Sequence, residues 1–307
     1  MKKFMGLTLA LTAAFSLAAG MASAKSIGIS VLTLQNPFFK VIVDNVTSEA
    51  AKSGYDVLAV SAEFDPGAQN NQVNDFIVKK VDAIILTPAD SKAVAPAIKK
   101  ATEAGIPVFT ADIACMADDC GVVSHIATDN YAGGRQAGKA MHEALGGKGK
   151  VAIIDHPEVE SVILRTKGFQ DELKELNSGI EIVGSWPGKG SKDVSFSVAQ
   201  EILQAHGDLN GFFCINDPSA LGALAALEIA KKTDVKIVGF DGMPEGKQAI
   251  KDGKIFADPI QYPDKIGQIT VQTIMQYFAG EKVEPQILIP TGLYYKADAD
   301  KDPELQK

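Results

Sequence analysis

The sequence predicts an α/β fold in two lobes, each a parallel sheet flanked by helices on both faces. Short apolar runs alternate with longer stretches of helical period, and that alternation occurs twice along the chain. Of the 307 residues 46% are hydrophobic, enough for two cores of ordinary domain size.

The runs at 26–33, 56–60, 83–86 and 108–111 are rich in Val, Ile, Leu, Ala and Phe and read as strands of a first lobe. A second set follows at 151–154, 180–184, 211–215 and 237–240. Continuous apolar runs suit strands covered on both faces, which is the condition of a parallel sheet. Between them, 37–53, 69–80, 93–104 and 193–205 carry apolar residues at helical spacing. Gly54, Gly105 and Gly207 follow three of these helices, where a left-handed residue commonly ends one. A helix over about 131–145 and the turn Gly146-Gly147-Lys148-Gly149 separate the two halves.

Charge and leader narrow the function. With Lys+Arg 30 against Asp+Glu 38 and a formal charge of −8, neither nucleic acid nor an anionic membrane is an expected partner. Residues 1–24 have the form of a secretory signal peptide: Lys2 and Lys3, an apolar stretch at 7–17, then Ala22-Ser23-Ala24. Cleavage after Ala24 would leave no cysteine for a lipid anchor, so the expected product is soluble and exported, most simply to a bacterial periplasm. An oxidising space allows Cys115 and Cys120 to bond, the alternative being two thiols. So short a loop would contribute roughly 2 kcal/mol. Cys214, in Phe212-Phe213-Cys214-Ile215, reads as a small buried apolar residue.

In parallel α/β sheets ligands sit beyond the carboxyl ends of the strands. The residues there are Asn36-Pro37-Phe38-Phe39, Asp112, Asn216-Asp217 and Asp241. Catalysis finds no support: the four histidines are scattered, and nucleophile-elbow, dinucleotide and phosphate-loop motifs do not occur. Residues 298–302 begin like a calcium loop, but Pro303 stands where that loop needs glycine. No catalytic residue, metal or cofactor is expected. What remains suits a small uncharged polyhydroxy molecule, whose every hydroxyl both donates and accepts. Asp112 and Asp241 would accept, Arg165 would donate, Asn216 and Gln261 can do both, and Phe38 and Phe39 offer flat apolar faces.

At these residues the chain resembles the ribose-type periplasmic binding proteins of ABC importers, the type I family. The motifs are Leu34-Gln35-Asn36-Pro37-Phe38-Phe39, Val122 through Asn130, Arg165-Thr166-Lys167-Gly168-Phe169, Asn216-Asp217, Val238-Gly239-Phe240-Asp241-Gly242 and Gln261-Tyr262-Pro263-Asp264. The resemblance implies two Rossmann-like lobes joined by a three-segment hinge near 127–130, 259–262 and 289–291. The N-terminal lobe would be 25–127 plus 262–289, and the C-terminal lobe 128–261 plus 290–307. It also implies that Asn36, Phe38, Phe39 and Asp112 contact ligand from the first lobe, and Arg165, Asn216, Asp241 and Gln261 from the second lobe or hinge. A permease with its ATPase is the implied partner, with a chemoreceptor as the alternative.

Two departures bear on the ligand. Ribose binders of the family carry arginine where this chain has Ile113, and an aromatic residue where the simplest alignment puts Gly190. Trp186, four residues earlier, either swings in as a replacement or packs beside the hinge. The expected ligand is therefore another neutral monosaccharide or polyol, with Ile113, Trp186 and Gly190 as further candidate contacts and the loop at 115–120 shaping the rim.

Overall fold

A computed structural model describes residues 25–306. The leader and its cleavage after Ala24 lie outside the described residues. Twelve strands and ten α-helices follow one another among them. The first lobe opens with β1 (Ser26–Val31), α1 (Pro37–Ala51), β2 (Asp56–Ser61), α2 (Pro66–Lys79), β3 (Ala83–Leu86), α3 (Ala95–Glu103), β4 (Val108–Ala111) and β5 (Val122–Thr128). The second lobe runs through α4 (Asn130–Leu145), β6 (Lys148–Asp155), α5 (Glu160–Glu175), β7 (Gly179–Pro187), α6 (Lys192–Ala205) and β8 (Gly211–Cys214). It continues through α7 (Asp217–Ala230), β9 (Lys236–Val238), α8 (Pro244–Lys251) and β10 (Ala257–Ile260). The chain ends with α9 (Pro263–Phe278), β11 (Gln286–Ile289), β12 (Gly292–Tyr295) and α10 (Lys296–Ala299).

Two six-stranded sheets result, ordered β11-β5-β4-β3-β1-β2 and β12-β10-β9-β8-β6-β7. All neighbours pair parallel except β12, which runs antiparallel to β10. The interior strands β3, β4 and β8 are buried at every residue, which explains their unbroken apolar sequence. The edge strand β2 is half-buried or exposed throughout.

The chain passes between the sheets three times: from β5 into α4, from β10 into α9, and from β11 into β12. These crossings are tied to one another. The Asp129 amide donates to the Ile289 carbonyl (2.9 Å), Thr291 Oγ1 to the Ile260 carbonyl (2.5 Å), and Gln136 Nε2 to the Thr291 carbonyl (3.3 Å). A bend at one segment therefore strains the other two.

Gly54 and Gly105 adopt left-handed backbones just past α1 and α3, with φ of +74° and +79°. Gly207 does not; α6 ends at His206, whose amide still bonds to the Ile202 carbonyl, and no left-handed residue is needed there. Cys115 and Cys120 are bonded, and Cys214 is a buried free thiol. Glycines also set the contact of α4 with α5. A Cβ on Gly134 would lie 2.1 Å from the Arg165 carbonyl oxygen, and one on Gly168 would lie 2.2 Å from that of Tyr131. The two helix backbones thus touch, which fixes where Arg165 starts from.

Candidate functional site

Both lobes contribute to the lining of one inner cavity. From the first lobe come Asn36, Phe38, Phe39, Asp112 and Ile113, and from the second Arg165, Gly190, Asn216, Asp241 and Gln261. Trp186 is not among its walls. It lies half-buried on the edge strand β7, meeting His206 edge-on with ring centroids 5.7 Å apart.

Local folding explains where the polar groups point. Pro37 starts α1, and Asn36 caps it by accepting from the Phe38 amide (3.0 Å). That cap turns Phe38 and Phe39 inward, where the rings meet edge-on at 5.4 Å between centroids. Asn216 caps α7 in the same way, accepting from the Ser219 amide at 3.0 Å. Its amide nitrogen donates to the Gly190 carbonyl at 3.1 Å. One lone pair of each oxygen, and one amide hydrogen of Asn216, are therefore engaged in the fold, which narrows what either side chain offers a ligand.

Asp112 and Asp241 follow β4 and β9 in left-handed backbone, with φ of +65° and +106°. Such conformations are strained for non-glycine residues and are held only where the surroundings impose them. The Asp112 amide donates to the Ile126 carbonyl (2.8 Å), and the Asp241 amide to that of Pro259 (3.0 Å). Asp241 Oδ1 accepts from Gln261 Nε2 at 2.6 Å and from Arg165 Nη1 at 3.3 Å. Asp112 Oδ1 and Gln261 Oε1 are buried and find no partner among the described residues.

Arg165 is the buried cation, 4% exposed. Its guanidinium lies 3.9 Å from the Phe240 ring centroid, Nε donates to Asn130 Oδ1 (2.8 Å), and Nη1 to the Ile215 carbonyl (2.7 Å). The fork is thus held in orientation by groups of the protein itself. Burial pushes the Asp112 carboxyl up to about 7, with Arg165 opposing and Asp241 and Glu160 adding. Burial likewise pushes Asp241 up to about 6 against Arg165 and Gln261.

Leu32, His156, Val159, Ser161 and Val162 also line the cavity, and the motif reading passed over them. His156 was within reach of the strand-end rule, since it directly follows β6. Burial lowers its pKa, so it stands as a neutral ring. Among the described residues no group of His, Cys, Asp and Glu is arranged to hold a metal, and no helix is long and apolar enough to cross a membrane.

The lobes also meet at the cavity rim through Ser91. Helix α5 has no side-chain cap of its own at Val159. Instead the Glu160 amide donates to Ser91 Oγ from the other lobe (2.9 Å), and the Ser91 amide donates to the Glu158 carbonyl (3.0 Å). Ser91 is held in turn by the Met116 amide, inside the disulfide loop, which donates to its carbonyl at 2.7 Å. A lost helix cap costs about 0.5–2 kcal/mol, and this one exists only when the lobes meet. Ser91→Ala is therefore expected to weaken ligand binding roughly 3- to 30-fold by calorimetric titration, with the melting temperature of the unliganded protein nearly unchanged. Wild-type affinity in that variant would remove the contact from the closure.

Comparison with known proteins agrees with this architecture. The periplasmic binding protein domain family matches residues 27–282. The ribose import binding protein of Escherichia coli is 35% identical over 297 residues, 96% of this chain and 99% of that protein. The D-apiose import binding protein of Paraburkholderia graminis is 33% identical over 303 residues, 98% and 96% of the two chains. Among solved structures, an ABC transporter solute binding protein from Mycobacterium smegmatis with bound glycerol superposes with a TM-score of 0.85 at 33% identity, covering 91% of this chain and 96% of that one. A two-sheet architecture, a cavity walled by both lobes and these matches lead to one assignment: the chain belongs to the periplasmic binding protein family, whose members bind solutes rather than transform them.

Proposed function

We propose that this protein captures a neutral monosaccharide or polyol between its lobes and delivers it to the permease of an ABC importer. The observation that carries the reading is the pair of buried, unpartnered acceptors, Asp112 Oδ1 and Gln261 Oε1, facing a cavity with one oriented arginine. A buried acceptor left bare costs ~1–3 kcal/mol, which ligand hydroxyls would recover. The ligands named for the relatives above are uncharged and polyhydroxy. Two carboxylates against one guanidinium disfavour sugar acids and phosphates. Ribose itself is not the ligand we favour, because Ile113 offers no hydrogen bond. The other candidate contacts, Asn36, Phe38, Phe39, Gly190, Asn216 and Asp241, complete the proposed site.

Closure follows from the split of the site between lobes. Neither lobe alone meets all the hydroxyls, so the ligand favours the state in which both do. A thermal-shift screen of the mature protein against pentoses, hexoses, polyols, inositols and their phosphates tests this. A ligand at 100 times its Kd is expected to add ~2.7 kcal/mol of stability. A phosphate ester as the best hit, or no response to any uncharged member, would overturn the proposal.

A further inference from the structure

The cavity is lined by side chains of two chemical kinds. Asp112, Arg165, Asn216, Asp241 and Gln261 are its hydrogen-bonding members. Leu32 and Ile113 from the first lobe and Val159 and Val162 from the second also line it, and none is more than 5% exposed. All four belong to one continuous apolar cluster that crosses from lobe to lobe and includes Phe38 and Phe39. When the lobes meet, this wall closes without any polar atom from those side chains.

We infer that the ligand carries an unhydroxylated edge, a methyl or methylene group, which seats against Leu32, Ile113, Val159 and Val162 while its hydroxyls face the carboxylates. The inference rests on the sugar or polyol reading above and narrows it to deoxy sugars and deoxy polyols. A hydroxyl pressed into the wall leaves water and finds no partner there, so it is penalised; a methyl in the same place gains apolar contact. Asp112 directly precedes Ile113, and Glu160 and Ser161 lie between Val159 and Val162, but the four side chains named carry no polar atom of their own.

Matched pairs that differ by one hydroxyl test it by titration calorimetry: D-galactose with 6-deoxy-D-galactose, D-ribose with 5-deoxy-D-ribose, and glycerol with 1,2-propanediol. In the series that binds, the deoxy member is expected to bind about 5- to 150-fold more tightly. Equal or tighter binding of the hydroxylated member would overturn the apolar edge while leaving the sugar reading standing. Failure of every sugar and polyol, deoxy or not, would instead overturn that reading. Val162→Thr, which exchanges a methyl for a hydroxyl at nearly constant shape, is expected to shift the ratio within the pair at least 3-fold toward the hydroxylated member. An unchanged ratio in that variant would remove Val162 from the wall's discrimination.

Discussion

Arg165→Ala is expected to abolish measurable ligand binding and to destabilise the unliganded protein by about 3–5 kcal/mol. The guanidinium is the one oriented cation in the cavity, and its removal leaves the Asp241 carboxylate, 2% exposed, without a counter-charge and with only Gln261 and the Asp217 amide to donate to it. It also orphans the Ile215 carbonyl and Asn130 Oδ1, and bares a face of Phe240. Arg165→Lys is expected to recover part of the stability and little of the binding, since a point charge cannot reproduce a planar fork held from three directions. Urea denaturation of the free protein and calorimetry with the best ligand check both parts. Retained affinity in the alanine variant would take Arg165 out of the site.

Asp112→Asn separates binding from folding. Asparagine has the same shape and tolerates the left-handed backbone at this position. Loss of a charged acceptor is expected to weaken binding ~10- to 150-fold. The unliganded protein responds in the opposite sense. Its Asp112 pKa is raised by burial to about 7, above the unfolded value, so the folded state retains the proton that the unfolded chain has released. The stability this confers is full below about pH 4 and is lost as pH rises through about 7. Asp241 and Asp258, both pushed up to about 6, add to the same decline. The difference between the wild-type and Asp112→Asn stability profiles isolates Asp112, and the variant is expected to gain on wild type between pH 5 and 8. Hydroxyl donors favour the ionised carboxylate, so wild-type Kd is expected to fall from pH 6 to pH 8 with release of a proton. A Kd flat across that range would show that no ligand hydroxyl reaches this carboxyl.

Much of the fold was legible because burial on both faces leaves a plain trace. Ala83–Leu86 and Val108–Ala111 read as strands from their apolar runs alone. The four strands the reading did not assign are β5, β10, β11 and β12. All four lie at the crossings between lobes, and β10 is also broken in sequence by Asp258 and Pro259. The strand-end rule led to Asp112, Asn216 and Asp241, all of which line the cavity. It could not tell how their atoms are used. Asparagine is both a good ligand contact and a favoured helix cap, and only the structure shows Asn36 and Asn216 spending their oxygens on α1 and α7. Trp186, four residues before Gly190, stands on the sheet-edge strand β7 and is not among the residues that line the cavity. Ser91 carried no signal at all, because its partner Glu160 stands 69 positions away and on the other lobe.

That serine also gives the molecule a built-in reporter. The amide hydrogen of Glu160 has an acceptor only across the gap between the lobes, so when they part it meets bulk solvent and trades with deuterium freely. Every other turn of α5 keeps its own hydrogen bonds whichever way the jaws stand. Exchange at this peptide group therefore reads out the fraction of molecules with the lobes apart, without dye, spin label or mutation.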